Sequence, residues 1–364
     1  MKTIAIFLPS LNVGGAERVV VTLANYFVEQ NYNVEILLLK NKGDLRADLN
    51  ENIKLVDLKC TNLKKEFFGL FKLRRYLKNN NVDCLMCVMW PLTIVGVFAK
   101  FFSSSNVNLI LSDHTTFSKT PWIQPPLKKL IFRLSVLCTY PFANYRLNVS
   151  DNAGHDLEKL GWLRKKSVET IHNPIQIYTG EINHKTSEVK TIISVGSLKW
   201  VKNHELLLSS FKKLTTLRSD VELLIVGEGN RRPNIEKLIT DYDLSNNVTL
   251  LGQKSAVELE QINLSSDLFV LTSHYEGFSM VIAEALNYGL PVVSVNCPNG
   301  PSDILENGKY GTLVPMNEPN TLAKAMNEVL NKEIDPNFLR SRAKDFSVDK
   351  IGLQYLSIMF PTSN

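Results

Sequence analysis

The chain has 364 residues, of which 44% are apolar and 21% charged, and its formal net charge is +5 at pH 7. Because this length exceeds what one hydrophobic core usually organises, we expect two domains. No run of 18 apolar residues predicts a membrane-spanning helix, and the modest charge without a recognition motif argues against binding nucleic acid.

The first half of the chain alternates between apolar runs and helical patterns. The opening residues, MKTIAIFLPS, are read as a strand and a turn rather than as a signal peptide. Residues 16–29 then follow the spacing of an amphipathic helix. The strands predicted in this half are 3–8, 33–39, 53–57, 82–89, 107–112 and 145–149.

A polar stretch at 170–190 is interpreted as a linker, after which the same alternation begins again. It includes predicted helices at 203–215 and 277–288. Strand–helix alternation in both halves predicts an α/β protein with two parallel, doubly wound sheets. Ligands bind such sheets outside the carboxyl ends of the strands, so we expect the site in a cleft between two domains. The strands predicted here are 191–195, 221–226, 247–251, 267–271 and 291–295.

The five cysteines include one Cys-x-x-Cys pair, Cys84 and Cys87, within a predicted strand. Residues three apart on a strand point to opposite faces, so these two side chains are not expected to share a metal ion. We interpret them as buried thiols, which favours a reducing, cytoplasmic location.

Charge differs between the two halves. Residues 1–175 contain 23 Lys and Arg against 14 Asp and Glu, a net charge of +9, whereas residues 176–364 have a net charge of −4. Two basic segments with interleaved apolar residues, 62–80 and 122–137, fit helices that pack on the sheet with solvated cations outside. Together with the charge, they instead predict a face that binds anionic membrane. The cations expected to contact membrane or acceptor are Lys72, Arg74, Arg75 and Lys78.

Two glutamates with seven residues between them, Glu276 and Glu284, follow the strand predicted at 267–271. A helix is expected to begin near Gly277–Phe278, and its first N–H groups would donate to phosphate or hydroxyl oxygens. One helix face could then present both carboxylates. Taken alone, the spacing also fits a glutamate at the start of a helix followed by a glutamate on its surface. The motifs around the two residues favour a ligand-binding site instead.

In its motifs the chain resembles the retaining, nucleotide-sugar-dependent glycosyltransferases of the GT-B fold, family GT4. The resemblance rests on E-x7-E with GLPVVSVNCPNGPSDIL behind it, on Gly14-Gly15 after the first strand, on Gly196 with Lys202-Asn203, and on IVGEG at 225–229. It covers nearly the whole chain and is strongest to bacterial enzymes that extend lipid-linked or polysaccharide-unit glycans. It implies two Rossmann-like domains facing each other across a cleft. Their expected bounds are 1–174 on the acceptor side and 175–345 on the donor side, with a C-terminal helix at 346–364 that could pack back on the first domain.

The resemblance also implies roles for individual residues. Glu276 and the amides of Gly277, Phe278 and Ser279 would hold the donor hexose and its phosphates, and Glu284 would accept from the ribose hydroxyls. Further implied donor-site residues are Lys202 at the diphosphate, Gly196 after the first strand of the second domain, and Gly14 and Gly15, whose backbone would approach the donor phosphate or the acceptor.

His114 follows the strand LILSDHTT, and the resemblance places it near the transferred sugar. In one respect the chain departs from the family, because Ser197 occupies the place of an arginine. Serine cannot supply a cationic fork, so either Lys199 provides the second positive charge or Lys202 and helix N-termini bind the diphosphate without it.

The expected activity is retaining transfer of a hexose or N-acetylhexosamine from a nucleotide diphosphate, with UDP favoured, to a saccharide acceptor on a polyprenyl diphosphate. The protein would lie on the cytoplasmic face of the membrane and need no metal ion or other cofactor. The Asp-x-Asp of TDYDL at 240–244 is interpreted as a solvated turn. A GDP-mannose donor, an epimerase of UDP-N-acetylhexosamine and a non-catalytic sugar-nucleotide binder remain open.

Overall fold

The computed structural model describes residues 1–60, 66–182 and 187–361. The chain divides into two compact units, of which the second is Ile177–Phe346. The first contains Met1–Gln176 together with the C-terminal segment that begins at Ser347. The division therefore falls two residues after the boundary expected at 174, and the chain returns to its first unit at the end.

The first unit is built on a seven-stranded sheet. Its strands are β1 (Thr3–Leu8), β2 (Asn33–Leu38), β3 (Lys54–Asp57), β4 (Cys84–Val88), β5 (Asn108–Asp113), β6 (Tyr145–Asn148) and β7 (Glu169–Thr170). They pair in the order β3-β2-β1-β4-β5-β6-β7, and every pairing is parallel. Strand β4 is buried at every position, as expected for a parallel strand covered by helices on both faces.

Five helices connect these strands and cover the sheet. They are α1 (Gly15–Glu29), α2 (Glu66–Asn79), α3 (Leu92–Ser103), α4 (Pro126–Thr139) and α5 (Asp151–Leu160). Helix α1 begins directly after β1 and buries an apolar stripe that includes Val20, Ala24 and Phe27. The order of the sheet changes direction between β1 and β4, which makes their carboxyl ends the topological switch point of this unit.

The second unit repeats the plan with six strands. They are β8 (Lys190–Val195), β9 (Val221–Val226), β10 (Val248–Gly252), β11 (Leu268–Leu271), β12 (Val292–Val295) and β13 (Thr312–Val314), in the parallel order β10-β9-β8-β11-β12-β13. Its helices are α6 (His204–Leu217), α7 (Arg232–Asp241), α8 (Ala256–Leu264), α9 (Met280–Asn287), α10 (Pro301–Ile304), α11 (Pro319–Leu330) and α12 (Pro336–Ala343). The switch point here lies between β8 and β11.

The last helix, α13 (Val348–Met359), packs on α1 in the first unit. The Tyr26 hydroxyl donates to the Asp349 carbonyl at 3.4 Å, and the Asn108 side-chain amide donates to the Ile358 carbonyl at 2.8 Å. Gly352 lies so close to the Tyr26 ring that a Cβ added there would be 2.2 Å from Cε1. Glycine is therefore the residue that allows α13 to approach α1.

The strands predicted from the sequence agree with the structure to within two residues at either end. Strands β7 and β13 were not predicted, because two or three residues are too few to show a periodicity. Cys84 and Cys87 are buried free thiols, as predicted, and burial raises the pKa of both well above its usual range.

Replacing Gly352 by alanine is expected to destabilise the first unit. The added methyl group would overlap the buried Tyr26 ring, and overpacking of this kind costs about 1–3 kcal/mol. The measurement is the free energy of unfolding in denaturant. The matched control is Gly154→Ala within α5, where a Cβ would meet Val168 at an ordinary 3.5 Å and alanine favours the helix. Equal stability changes in the two variants would contradict the close packing of α13.

Candidate active site

Three loops meet at the carboxyl edge of the second sheet. The loop after β8 covers residues 196–203, the loop after β11 covers 272–279, and the loop after β12 covers 296–300. Strand β8 pairs with both β9 and β11, so the first two loops leave from the switch point. This edge is where doubly wound folds bind their ligands.

An ion pair between Lys202 and Glu276 joins the first two loops. The lysine Nζ lies 2.7 Å from the glutamate Oε1, and the side chains are only 19% and 12% exposed. The Ser273 hydroxyl donates to the same oxygen at 2.6 Å, and the Thr272 hydroxyl donates to the Lys202 carbonyl at 3.0 Å. A pair this shielded from water adds little net stability, but it holds a cation and a carboxylate ready at the switch point.

The turn before α9 does not have the conformation that the sequence predicts. The helix begins at Met280 rather than near residue 277, because the Met280 N–H donates back to the Phe278 carbonyl at 2.7 Å. In the segments that the structure describes, the N–H groups of Gly277 and Ser279 donate to no protein acceptor. The Phe278 ring packs edge-on against Phe346, with 5.3 Å between ring centroids. The side chain of Phe278 therefore packs within the protein rather than facing a ligand.

The third loop closes on this turn through Gly300, whose φ is +95°. A Cβ at this position would lie 2.9 Å from the Ser279 hydroxyl and 3.4 Å from the Glu276 Cβ, so the approach requires glycine. The Ser279 hydroxyl is buried and has no hydrogen-bond partner among the described residues. It is available to a ligand at the positive end of α9.

Glu284 lies in the middle of α9 and is half-buried. Burial raises the pKa of Tyr288 to about 12, and the charges of Glu260 and Glu284 contribute to that increase. Glu276 lies in the loop before α9, as the sequence predicts, and that helix begins later than predicted. The two carboxylates come from a loop and from a helix.

Gly196 and Lys199 occupy different environments in the loop after β8. A Cβ at Gly196 would lie 3.1 Å from the Lys202 Cε, so the glycine makes room for the lysine stem. The side chain of Lys199 is exposed and makes no hydrogen bond or ion pair with the described residues. The contacts of these loops therefore fix the side chain of Lys202 but not that of Lys199.

Arg231 was not identified from the sequence. Its backbone N–H donates to the Leu198 carbonyl at 3.0 Å, and its guanidinium pairs with Glu205 at the start of α6. The Nε atom is buried without a partner among the described residues. No sequence signal singles it out, because it follows the glycines of IVGEG without a motif of its own.

In the first unit, Gly14 and Gly15 lie at the start of α1, where they were expected. A Cβ at Gly15 would have no described atom within 4 Å, whereas one at Gly14 would lie 2.3 Å from the Glu17 Oε2. Burial raises the pKa of Glu17. The carboxylate of Glu17 thus lies at this helix N-terminus, and a phosphate that binds there must move it aside.

His114 directly follows β5, as predicted. Its Nε2 lies 3.2 Å from the Ser112 hydroxyl, and the imidazole is half-buried. Burial lowers the pKa of His114 to about 4, and a contact with the Asn173 side chain acts in the opposite direction. The ring is therefore neutral at pH 7 and can serve as a hydrogen-bond donor or acceptor, but not as a cation.

The residue beside it, Asp113, belongs to a buried network. Its carboxylate accepts from the Tyr140 hydroxyl at 2.6 Å and from the Trp90 N–H at 3.1 Å. Burial raises the pKa of Asp113 to about 6, although both hydrogen bonds act in the opposite direction. The network fixes the end of β5 and hence the position of His114.

Of the four cations predicted on α2, all are exposed, but two bind the protein's own backbone. Lys72 donates to the carbonyls of Leu58 and Lys59, the second at 3.1 Å. Arg74 donates to the Phe102 carbonyl at the C-terminal end of α3 at 2.8 Å. Arg75 and Lys78 make no such contact with the residues that the structure describes. Residues 62–65 of the predicted basic segment lie outside the described residues.

Within residues 1–60, 66–182 and 187–361, no three His, Cys, Asp or Glu side chains are grouped so that they could hold a metal ion. Over the same residues, no helix combines the length and apolar character needed to cross a bilayer. The Asp-x-Asp at 241–243 lies at the end of α7.

Two family models match the chain. The model described as Glycosyltransferase Family 4 matches residues 13–177, and the model described as Glycosyl transferases group 1 matches residues 180–346. The first match falls on the unit with Gly14, Gly15 and His114. The second falls on the unit with Lys202 and Glu276.

Curated and solved relatives extend over the whole chain. The Campylobacter jejuni N-acetylgalactosamine-N,N'-diacetylbacillosaminyl-diphospho-undecaprenol 4-alpha-N-acetylgalactosaminyltransferase is 27% identical, covering 98% of this chain and 100% of its own. Among solved structures, the lipopolysaccharide outer core galactosyltransferase WaaB has a TM-score of 0.77 at 20% identity, covering 99% of both chains. Anabaena HepE in complex with UDP and glucose has a TM-score of 0.79 at 19% identity, covering 98% of this chain and 99% of its own. The structural likenesses show a GT-B fold.

We expect the imidazole of His114 to remain neutral down to about pH 5, because burial lowers its pKa to about 4. The measurement is a proton NMR titration of the histidine ring signals, in which the His114→Gln variant identifies the signal of His114 by its loss. A midpoint for that signal between pH 6 and 7 would contradict the buried, uncharged state.

Proposed function

We propose that this chain, which belongs to the family 4 glycosyltransferases of the GT-B fold, transfers a hexose or N-acetylhexosamine from a nucleotide diphosphate sugar to a saccharide acceptor. A UDP sugar is the favoured donor, and the acceptor is a saccharide on a polyprenyl diphosphate. The relatives support both choices, because HepE was solved with UDP and the Campylobacter enzyme is named for an undecaprenyl diphosphate substrate.

The observation that carries the proposal is the Lys202–Glu276 pair at the switch point of the second sheet. A nucleotide diphosphate sugar presents anionic phosphates beside a ring of hydroxyl groups. The ammonium of Lys202 and the open N–H groups of Gly277 and Ser279 suit the phosphates. The carboxylate of Glu276 suits the sugar hydroxyls, and Glu284 is assigned to the ribose.

The proposed transfer retains the anomeric configuration. The acceptor hydroxyl attacks on the face from which the diphosphate departs, and the leaving phosphate takes the hydroxyl proton. No protein base is then required, and Glu276 need not act as a nucleophile. Negative charge on the departing diphosphate is met by Lys202 and by the N–H groups before α9, so the scheme uses no metal ion.

In this proposal the enzyme works at the cytoplasmic face of the membrane, where a polyprenyl-linked acceptor is held. His114 contributes a neutral hydrogen-bonding group near the transferred sugar, which fits its lowered pKa. The positive charge of the first half of the chain fits an anionic bilayer as partner.

The donor can be identified by thermal denaturation with UDP, GDP and ADP sugars. A ligand present at a hundred times its Kd stabilises the folded state by about 2.7 kcal/mol, so the correct donor should raise the melting temperature most. The preferred donor is then assayed for transfer to a polyprenyl-diphosphate saccharide, with and without EDTA. Transfer that persists in EDTA supports the scheme. Epimerisation of the donor without transfer, or binding without any turnover, would overturn it.

Lys202→Ala is expected to weaken donor binding and slow transfer by roughly ten- to a hundredfold, because a charge-assisted hydrogen bond of this kind contributes about 1.5–3 kcal/mol. The measurement is kcat/KM for the donor, with unfolding followed in parallel because Glu276 loses its partner. Lys199→Ala is the matched control. If only the Lys199 change is severe, the exposed lysine binds the diphosphate and the assignment of Lys202 is wrong.

The two glutamates should have different kinetic effects. Glu284→Gln is expected chiefly to raise the donor KM, since the ribose is bound equally in ground and transition states. Glu276→Gln is expected chiefly to lower kcat, since the hexose gains positive character only during transfer. Small and equal changes from both substitutions would indicate that neither carboxylate contacts the donor.

A further inference from the structure

Helix α4 exposes an apolar stripe on the side that faces away from the core. It buries Phe132, Val136 and Thr139 against the first unit. Its remaining large apolar side chains are between 39% and 69% exposed: Leu127, Leu130, Ile131, Leu134 and Leu137. At about 100° per residue these five occupy a stripe roughly 120° wide. A stripe of this size on a surface helix is typical of an interaction site.

The apolar surface continues past the C-terminal end of α4. Phe142 follows the helix and is 67% exposed, and Trp162 after α5 is 50% exposed. The Arg133 guanidinium lies over the Trp162 ring at 4.8 Å and donates to the Leu160 carbonyl at 3.1 Å. The α4 face, defined as the five exposed residues of α4 with Phe142 and Trp162, is thus bordered by a cation.

A basic cavity of about 540 Å³ opens next to the end of this face. Its lining residues are Pro141, Arg146, Leu163, Arg164, Lys165, Lys166 and Ser167. The loops that form it lead into β6 and β7, so it lies at the amino edge of the sheet, opposite the edge that holds His114.

The cavity is suited to an anion. The Arg146 side chain is fixed by its hydrogen bond to the Ser167 carbonyl at 2.8 Å. No carboxylate lines the cavity, and none of its four cations forms an ion pair with the described residues. The Ser167 hydroxyl is buried and has no hydrogen-bond partner in the described part of the chain. Four cations and an unsatisfied hydroxyl around one cavity match the oxygens of a phosphate group.

One buried carboxylate contacts the lining of the cavity, and it is held by the protein itself. The Glu158 carboxylate accepts from the Ser167 and Val168 N–H groups at 2.7 Å and 3.0 Å. Residues 67–150 contain ten Lys and Arg but only two acidic residues, Asp83 and Asp113. The four cations of the cavity therefore outnumber the one carboxylate that contacts its lining among the described residues.

We propose that the α4 face lies in the interface of an anionic bilayer and that the cavity beside it binds the phosphate of an anionic phospholipid headgroup. Leu, Ile, Phe and Trp side chains beside Lys and Arg are the composition that interfacial membrane binding uses. A soluble phosphate would account for the cavity but not for the adjoining apolar stripe. The inference rests on the membrane location in the proposed function and names the surface responsible.

The sequence prediction included the segment of α4 in the membrane face but named cations only on α2. Lys72 and Arg74 donate hydrogen bonds to backbone carbonyls, so both side chains already have partners within the protein. The cations of the cavity have only Arg146 engaged in this way. The two assignments can therefore be separated by matched substitutions of three cations each.

The experiment measures binding of the full chain to phosphatidylcholine vesicles with and without phosphatidylglycerol. The Arg164→Gln, Lys165→Gln, Lys166→Gln variant is expected to weaken binding to the anionic vesicles by about tenfold or more, since each cation near such a surface contributes about 1 kcal/mol. Leu127→Asn with Ile131→Asn should weaken binding by about tenfold even at high salt, which screens only the charges. The control, Lys72→Gln, Arg74→Gln, Arg75→Gln, should change binding about threefold at most.

Several results would overturn the proposal. One is a control variant that loses binding while the cavity variant keeps it, which would return the membrane contact to α2. A second is stabilisation by inorganic phosphate that the cavity variant abolishes without any change in vesicle binding. A third is a concentration-dependent dimer that the Leu127 and Ile131 changes dissociate, which would make a second copy the occupant. Donor binding, measured by thermal denaturation with UDP sugars, should be unchanged in every variant, so failure here leaves the proposed transfer untouched.

Discussion

The Lys202–Glu276 ion pair is the contact on which the organisation of the second unit's edge depends. The two residues are 74 positions apart in the sequence, and they meet because β8 and β11 are adjacent at the switch point of a parallel sheet. Two charges this shielded from water need further hydrogen bonds, which Ser273 supplies. Gly196 and Gly300 leave the space that the pair occupies, since a Cβ at either position would press on it or on Ser279.

Electrostatics differ between the candidate groups of the two units. The second unit offers an ammonium and open N–H groups, which suit a leaving group that accumulates negative charge. In the first unit, burial keeps the ring of His114 neutral and holds the pKa of Asp113 near 6. In the proposed transfer, a neutral ring suits a hydrogen bond to a sugar hydroxyl.

Sequence patterns predicted every strand except β7 and β13, the two sheets, and the strand-end positions of Lys202, Glu276 and His114. These follow from burial on both strand faces and from motifs at strand ends. These patterns failed where contacts between distant segments determine the local structure. The helix after Glu276 starts at Met280 because of a turn that periodicity cannot show, and the Phe278 ring is held by Phe346 from a distant segment. Arg231 and Glu17 approach the candidate groups without belonging to any motif.

The two basic segments of the first unit, 62–80 and 122–137, also differ in the structure in a way that their sequences do not show. The two segments have similar sequences. In α2, Lys72 and Arg74 donate hydrogen bonds to backbone carbonyls, whereas α4 exposes its apolar stripe to solvent. An exposed stripe of this size would favour self-association in a neutral protein. Here Arg133 and the cations of the cavity border it, so the proposed occupant is an anionic surface rather than a second copy. In that proposal the cations attract the bilayer, and the bilayer interface covers the apolar stripe.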